Sequence, residues 1–259
     1  MKKSTPKTQL QSYLLEIEKA LSLFPKRTSS QNPEAYIGGG QSQLRYLGLR
    51  VPHLNQTMRQ GFSFSHQDPA ELAGIWDYVW WHSDCYEVMS LALAWFYDPK
   101  RRSLLAQNWP KLKEWSNRID NWAHADTLSG IYARLHEDLG LEVFSTFKVW
   151  NSSQNPWLRR LSLVSLFYYS SMRKKYPSFN KVISLIKPQL EYDHYYVQKA
   201  VGWTLRETGN VYPDQTYEFL VENVLTLSSS AFSAATEKLT PAQKEHLKKR
   251  RKKIIKSVC

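Results

Sequence analysis

Apolar residues return at intervals of three and four along nearly every segment of this chain, and that period limits the fold more than any other feature. Leu10, Tyr13, Leu14, Ile17 and Leu21 form one such series, and Val88, Leu91, Leu93 and Trp95 belong to another. On a backbone of about 3.6 residues per turn, this spacing lines up one buried face. No segment sustains the period-two alternation of a half-buried strand, so the chain reads as all-α. Helices are expected over about 8–23, 52–60, 69–80, 83–97, 101–117, 121–138, 140–149, 156–172, 176–187, 193–208, 212–226 and 241–255. Pro52, Pro99, Pro156, Pro177 and Pro213 sit near expected starts, where a missing backbone N–H costs nothing, and Thr240-Pro241 reads as an N-cap followed by proline.

Many short helices on short connections suggest antiparallel helical hairpins stacked side by side, a HEAT-like solenoid in which each pair buries its apolar face on the next. A globular helical bundle would satisfy the same pattern. Trp122 and Trp157, like Asp126 and Arg160, are separated by nearly one such period of about 40 residues, although no consensus string recurs. Residues 1–240 are expected to form the helical domain and 241–259 a basic C-terminal helix or tail. Gly38-Gly39-Gly40 interrupts the first third as a loop. It lacks the Gly-Lys-Ser/Thr of a phosphate-binding loop.

Charge narrows the partners. The chain carries 35 Lys and Arg against 23 Asp and Glu, a net +12, which points to a polyanion. Between Lys244 and Lys256 there are eight basic residues and one acid, a local +7 that leaves only +5 for the rest. The body is therefore mildly basic. No run approaches the roughly 18 apolar residues of a membrane span, and no apolar stretch follows Met1-Lys2-Lys3, so a cytoplasmic protein away from membranes is expected. Two cysteines, Cys85 and Cys259, are too few for a disulfide framework or a Cys-based zinc site. His82-Ser83-Asp84-Cys85 holds metal-capable atoms, but adjacent helical residues diverge, so it reads as a surface cluster and no metal is expected.

Three segments place aromatic and charged groups on shared helix faces. In Asn121-Trp122-Ala123-His124-Ala125-Asp126-Thr127, Trp122 and Asp126 are four apart, which sets an indole beside a carboxylate. Pro156-Trp157-Leu158-Arg159-Arg160-Leu161-Ser162 opens a helix with an aromatic and two guanidinium groups. In Tyr196 to Glu207, Lys199 and Trp203 share a face and Arg206 follows three residues later. Taken singly, each reads as packing.

Together, Trp122-x-x-x-Asp126, Trp157-Leu158-x-Arg160 and Gln198-Lys199-Ala200-x-Gly202-Trp203-x-Leu205-Arg206-Glu207 resemble the motifs of the AlkD-like family of DNA alkylation repair glycosylases, in order and in spacing. Tyr46-Leu47-Gly48-Leu49-Arg50-x-Pro52 and Leu72-x-x-x-Ile75-Trp76-Asp77 are similar to earlier segments of that family, so the likeness spans most of residues 31–226. The resemblance implies a HEAT-like solenoid, alkylated duplex DNA as partner, a monomer associated with a bacterial-type nucleoid, and monofunctional excision of cationic purines without an organic cofactor. It implies Asp126 as catalytic carboxylate, Arg160 as its partner, and Trp122 and Trp203 as an aromatic cradle. Arg159, Lys199, Arg206, Trp157 and Tyr36 would contact DNA. Two departures stand out: the glycine-rich stretch near Tyr36, and Ser228-Ser229-Ser230-Ala231-Phe232, which lacks the arginines often found there. The basic tail is a candidate to compensate.

The implied chemistry is physically economical. A cationic purine is already a good leaving group, so the protein needs a charge to stabilise the sugar cation rather than a strong acid. One ionised carboxylate near C1′ does this, a nearby guanidinium keeps it ionised, and indole faces add about 0.5–2 kcal/mol each of cation–π attraction. A carboxylate cannot form the Schiff base of a lyase, so no lyase activity is expected. Two alternatives share the basic surface: a non-catalytic helical-repeat protein binding distorted or branched DNA, and a protein-interaction scaffold.

Overall fold

The computed structural model describes residues 5–25, 37 and 42–258, with side chains described as far as residue 252. Tyr36 and the Gly38–Gly40 loop lie outside the described residues. The chain is all-α: among the described residues there is no strand, only an isolated bridge between Arg45 and Cys85. It divides into two compact units, Met1–Leu128 and Ser129–Cys259.

The first unit contains α1 (Lys7–Ser22), α2 (Val51–Gln60), α3 (Pro69–His82), α4 (Tyr86–Tyr97), α5 (Arg102–Trp115) and the opening turns of α6 (Trp122–Leu139). Asp68 caps α3 by accepting from the amides of Ala70 and Glu71, with Pro69 in the first turn. Helix α3 pairs with α4 and also packs on α1 and α5. The core is aromatic: the Trp80 and Trp115 rings stack at 4.6 Å, and Phe96 meets Trp115 edge-on at 5.2 Å. Asp77 accepts the Trp115 indole N–H at 2.8 Å, so one acid of the resemblance segment tethers α5 to α3. The Tyr46–Arg50 segment is also structural. Amides of Leu47, Gly48 and Leu49 converge on the buried Glu87 carboxylate at 2.8–3.1 Å, and Gly48 takes φ 74°, open to glycine at little cost.

The second unit contains the remainder of α6, then α7 (Leu141–Asn151), α8 (Pro156–Val164), α9 (Phe179–Ile186), α10 (Tyr195–Val211), α11 (Pro213–Glu222), α12 (Ser229–Ala235) and α13 (Pro241–Val258). Helix α7 pairs with α8, and α10 packs on α8, α11 and α12. The α10–α12 approach is backbone-close: a Cβ on Gly202 would lie 2.5 Å from the Ala231 carbonyl oxygen. Only hydrogen fits there. Helix α13 opens with a reciprocal capping box between Thr240 and Gln243, and Leu247 is fully buried beneath it.

Three expectations are corrected. The helix expected over about 156–172 ends at Val164, because the backbone turns through a left-handed Tyr168 (φ 57°) into a 3₁₀ turn at Ser170–Met172. Apolar periodicity through Phe167 hid that break. The segment around Ser228–Phe232, read only for its missing arginines, forms α12, with Ser228 accepting from the Ala231 amide. In the His82–Cys85 cluster, Ser83 and Cys85 are buried rather than on the surface, and burial pushes the Cys85 thiol up to about 11. Among the described residues no group of three or more metal-capable side chains forms.

Candidate functional site

In the first unit the site begins at the start of α6. Asn121 caps the helix through the His124 amide (2.9 Å), and Asp120, just before it, holds Ser42 Oγ and the Gln43 amide at 2.9 and 2.8 Å. His124 is wholly enclosed. Its ring stacks on Tyr86 at 4.3 Å and its Nε2 lies 2.9 Å from Ser90 Oγ. Burial pushes the imidazole down to about 4, so it is neutral near pH 7 and serves to fix the helix start. That fixture sets the direction of the next residues. Trp122 is half-buried and Asp126, one helical turn on, is 9% exposed. The expected pair therefore shares one helix face, with its carboxylate mostly withdrawn from water.

In the second unit, Asn155 caps α8 through the Trp157 amide, with Pro156 in the first turn. Trp157 is buried, with its ring 5.0 Å from that of Tyr196. Arg160 is 4% exposed and donates from Nη1 to the Tyr196 carbonyl at 2.7 Å, joining the middle of α8 to the start of α10. Arg159 donates to the Ser153 carbonyl (2.5 Å) and Gln189 Oε1 (2.9 Å) and lies 4.0 Å over the Tyr192 ring. Its guanidinium already has protein partners. Lys199 is exposed on α10.

Trp203, half-buried two turns into α10, donates its indole N–H to the Tyr168 carbonyl at 2.7 Å. The Arg206 guanidinium sits 5.1 Å over the same ring and is held by Glu207 (3.1 Å) and Glu237 (2.9 Å). The buried Glu207 carboxylate accepts from the Ser170 amide and hydroxyl at 2.8 and 2.7 Å. Burial opposes its ionisation, but those two bonds and the nearby Lys238 and Arg206 outweigh it and hold the carboxyl below its ordinary range. The sequence motif includes Glu207 without giving it a role, and sequence reasoning passed over Tyr168 and Tyr169. The Phe167-Tyr168-Tyr169 run was the available signal.

The arrangement thus offers a largely buried acid one helical turn from a tryptophan in one unit, and a guanidinium, an exposed ammonium and a second indole in the other. A family model described as DNA alkylation repair enzyme matches residues 19–239. No curated protein matches the chain by sequence. Solved structures do match. A predicted DNA alkylation repair enzyme from Enterococcus faecalis aligns with TM-score 0.62 at 19% identity, over 81% of this chain and 93% of its own. AlkD2 from Streptococcus mutans aligns with TM-score 0.56 at 18% identity, over 90% and 99%. The smu.31 protein of Streptococcus mutans UA159 aligns with TM-score 0.52 at 16% identity, over 93% and 97%. At these identities the likenesses establish the all-α fold. No helix among the described residues is long and apolar enough to cross a membrane.

Proposed function

Because the chain belongs to the family of DNA alkylation repair enzymes, we propose that it is a monofunctional glycosylase that excises cationic N3- and N7-alkylpurines from duplex DNA. The observation that carries this reading is Asp126, a carboxylate residue only 9% exposed on the same helix face as a half-buried tryptophan. A carboxylate drawn out of bulk water acts on a developing charge with less screening than one on the surface.

In this mechanism Asp126 faces the deoxyribose, stabilises the positive charge that grows at C1′ as the N-glycosidic bond breaks, and orients the water that adds there. The purine leaves with the bonding electron pair, which neutralises its own cation, so no general acid is required. Trp122 and Trp203 each offer a π-face to the nucleotide, and Arg160, Lys199, Arg159 and Arg206 supply positive charge to the DNA around it, with Trp157 backing them. The arginines bring their existing protein partners to that contact, whereas Lys199 needs no rearrangement.

The test is release of free base from methylated duplex DNA by wild-type protein and by Asp126→Asn. A drop of at least about a hundred-fold in rate, with DNA affinity and circular dichroism unchanged, is expected for removal of a transition-state charge interaction. Full activity in the variant rejects the assigned carboxylate. Tight binding to branched DNA with no base release by the wild type would establish the non-catalytic alternative.

A further inference from the structure

The segment between α8 and α9 contains the one non-glycine residue with positive φ among the described residues, Tyr168 at 57°. A bulky side chain in that region is strained and persists only where its surroundings over-determine it. Here they do. The Tyr168 amide donates to the Val164 carbonyl at 2.6 Å, and its carbonyl accepts the Trp203 indole at 2.7 Å. Glu207 then fixes Ser170 by two bonds. Arg173 and Glu137 form a buried pair at 3.2 Å, and Glu137 also accepts the Lys174 amide at 2.7 Å. Tyr212 Oη closes the segment on the Pro177 carbonyl at 3.1 Å.

Two buried carboxylates, an indole and a phenol thus hold about ten residues of irregular backbone in a single form. The result is a placed aromatic: Tyr169 stands 39% exposed with its ring centroid 5.2 Å from that of Trp203, at an angle of 50°. Trp203 is braced from elsewhere by Arg206. A fold gains nothing in hydrophobic burial by clamping a strained turn so as to leave a tyrosine partly in water. Two adjacent, mutually tilted aromatic faces beside the Arg206 guanidinium form a surface suited to a nucleoside that has lost stacking within its own duplex.

We propose that Tyr169 is a DNA contact of this site, stacking with Trp203 against the nucleoside unit at a distorted position, and that the Tyr168 turn exists to present it. This rests on the reading of Trp203 as part of the DNA site. Tyr169 would act in recognition of distortion rather than in bond breaking, so binding is the readout.

The experiment measures equilibrium affinity for an intact duplex and for the same duplex carrying a one-nucleotide bulge, whose unpaired base keeps its π-face, in wild type, Tyr169→Leu and Tyr169→Phe. Base release by the wild type is measured separately and reports on the glycosylase reading alone. The wild type should prefer the bulged duplex. Tyr169→Leu should reduce that preference about ten-fold, within the range for removal of one aromatic–base stack, while intact-duplex affinity and the unfolding midpoint stay put. Tyr169→Phe should retain the preference. Retention in Tyr169→Leu, loss in Tyr169→Phe, or equal affinity of the wild type for both duplexes would each overturn the proposal. A purely structural tyrosine would move the unfolding midpoint and both affinities together, which also overturns it.

Discussion

Replacing Gly202 by alanine puts the packing of the third motif to a quantitative test. The new Cβ would lie 2.5 Å from the Ala231 carbonyl oxygen, 2.7 Å from the Ala234 Cβ and 3.0 Å from the Ala231 Cα. Comfortable separations are about 3.3 Å for carbon to oxygen and 3.5–4.0 Å between carbons. Helices α10 and α12 must therefore part by ~1 Å, since the nearest obstacle is backbone and cannot rotate away. A gap of that size forfeits a quarter to a half of the dispersion along the seam, and overpacking of this kind costs about 1–3 kcal/mol. Alanine returns at most about 1 kcal/mol in helix propensity. The net loss is about 1–2 kcal/mol, or roughly 2–8 °C in thermal midpoint for a chain of this size. Thermal unfolding followed by circular dichroism checks it, with Ala234→Gly on the same background. That second change removes the 2.7 Å clash but not the 2.5 Å one, so rescue should be partial. An unchanged or higher midpoint for Gly202→Ala would refute this reasoning.

Glu207→Gln should destabilise the protein by about 2–4 kcal/mol, because Arg206 loses a buried counter-charge and one amide oxygen replaces a carboxylate bonded to Ser170; urea unfolding at pH 7 measures it, and a change under about 1 kcal/mol would contradict the role assigned to this acid. Stability should fall as pH drops from about 6.5 towards 4. His124 and His136 are both pushed down to about 4 by burial, so the unfolded chain takes up protons that the folded one refuses. Each histidine contributes on the order of 3 kcal/mol at the bottom of that window, and a flat profile from pH 7 to 5 would count against it. Below it, Glu207 adds a further loss: its folded-state pKa is depressed, so its stabilising effect is present above the unfolded value and disappears as pH falls through the folded one. On α13, Lys248, Lys249 and Lys252 are exposed, whereas Leu247 is buried and Arg250 and Arg251 meet the Val221 carbonyl and the Phe232 ring. Changing the three exposed lysines to glutamine should therefore reduce the salt dependence of DNA binding, by about one unit of slope for each phosphate no longer neutralised, without unfolding the helix. An unchanged slope would remove the tail from the interface.

Much of the fold was legible because helical periodicity and caps are local. Pro52, Pro156, Pro213 and Pro241 each sit in a first helical turn, as their fixed φ and missing donor favour, and Trp122 and Asp126 share a face simply because they are four apart. Helix α12 escaped notice because three serines and small residues carry no apolar stripe. It exists because Ser228 caps it and the absent side chain of Gly202 admits it to α10.

The amino-acid sequence alone determined the all-α class, most helix positions and the motifs that mark the family, since each depends on residues within a few turns of one another. Tertiary structure alone decided that Glu87 would gather amides about forty positions upstream, that Glu237 would hold Arg206, and that the chain would end its helix at Val164 and turn at Tyr168 to expose Tyr169. The physical reason is range. Helix propensity acts between neighbours, whereas a buried carboxylate must find its donors wherever folding brings them, and no pattern along the chain announces which amides those will be.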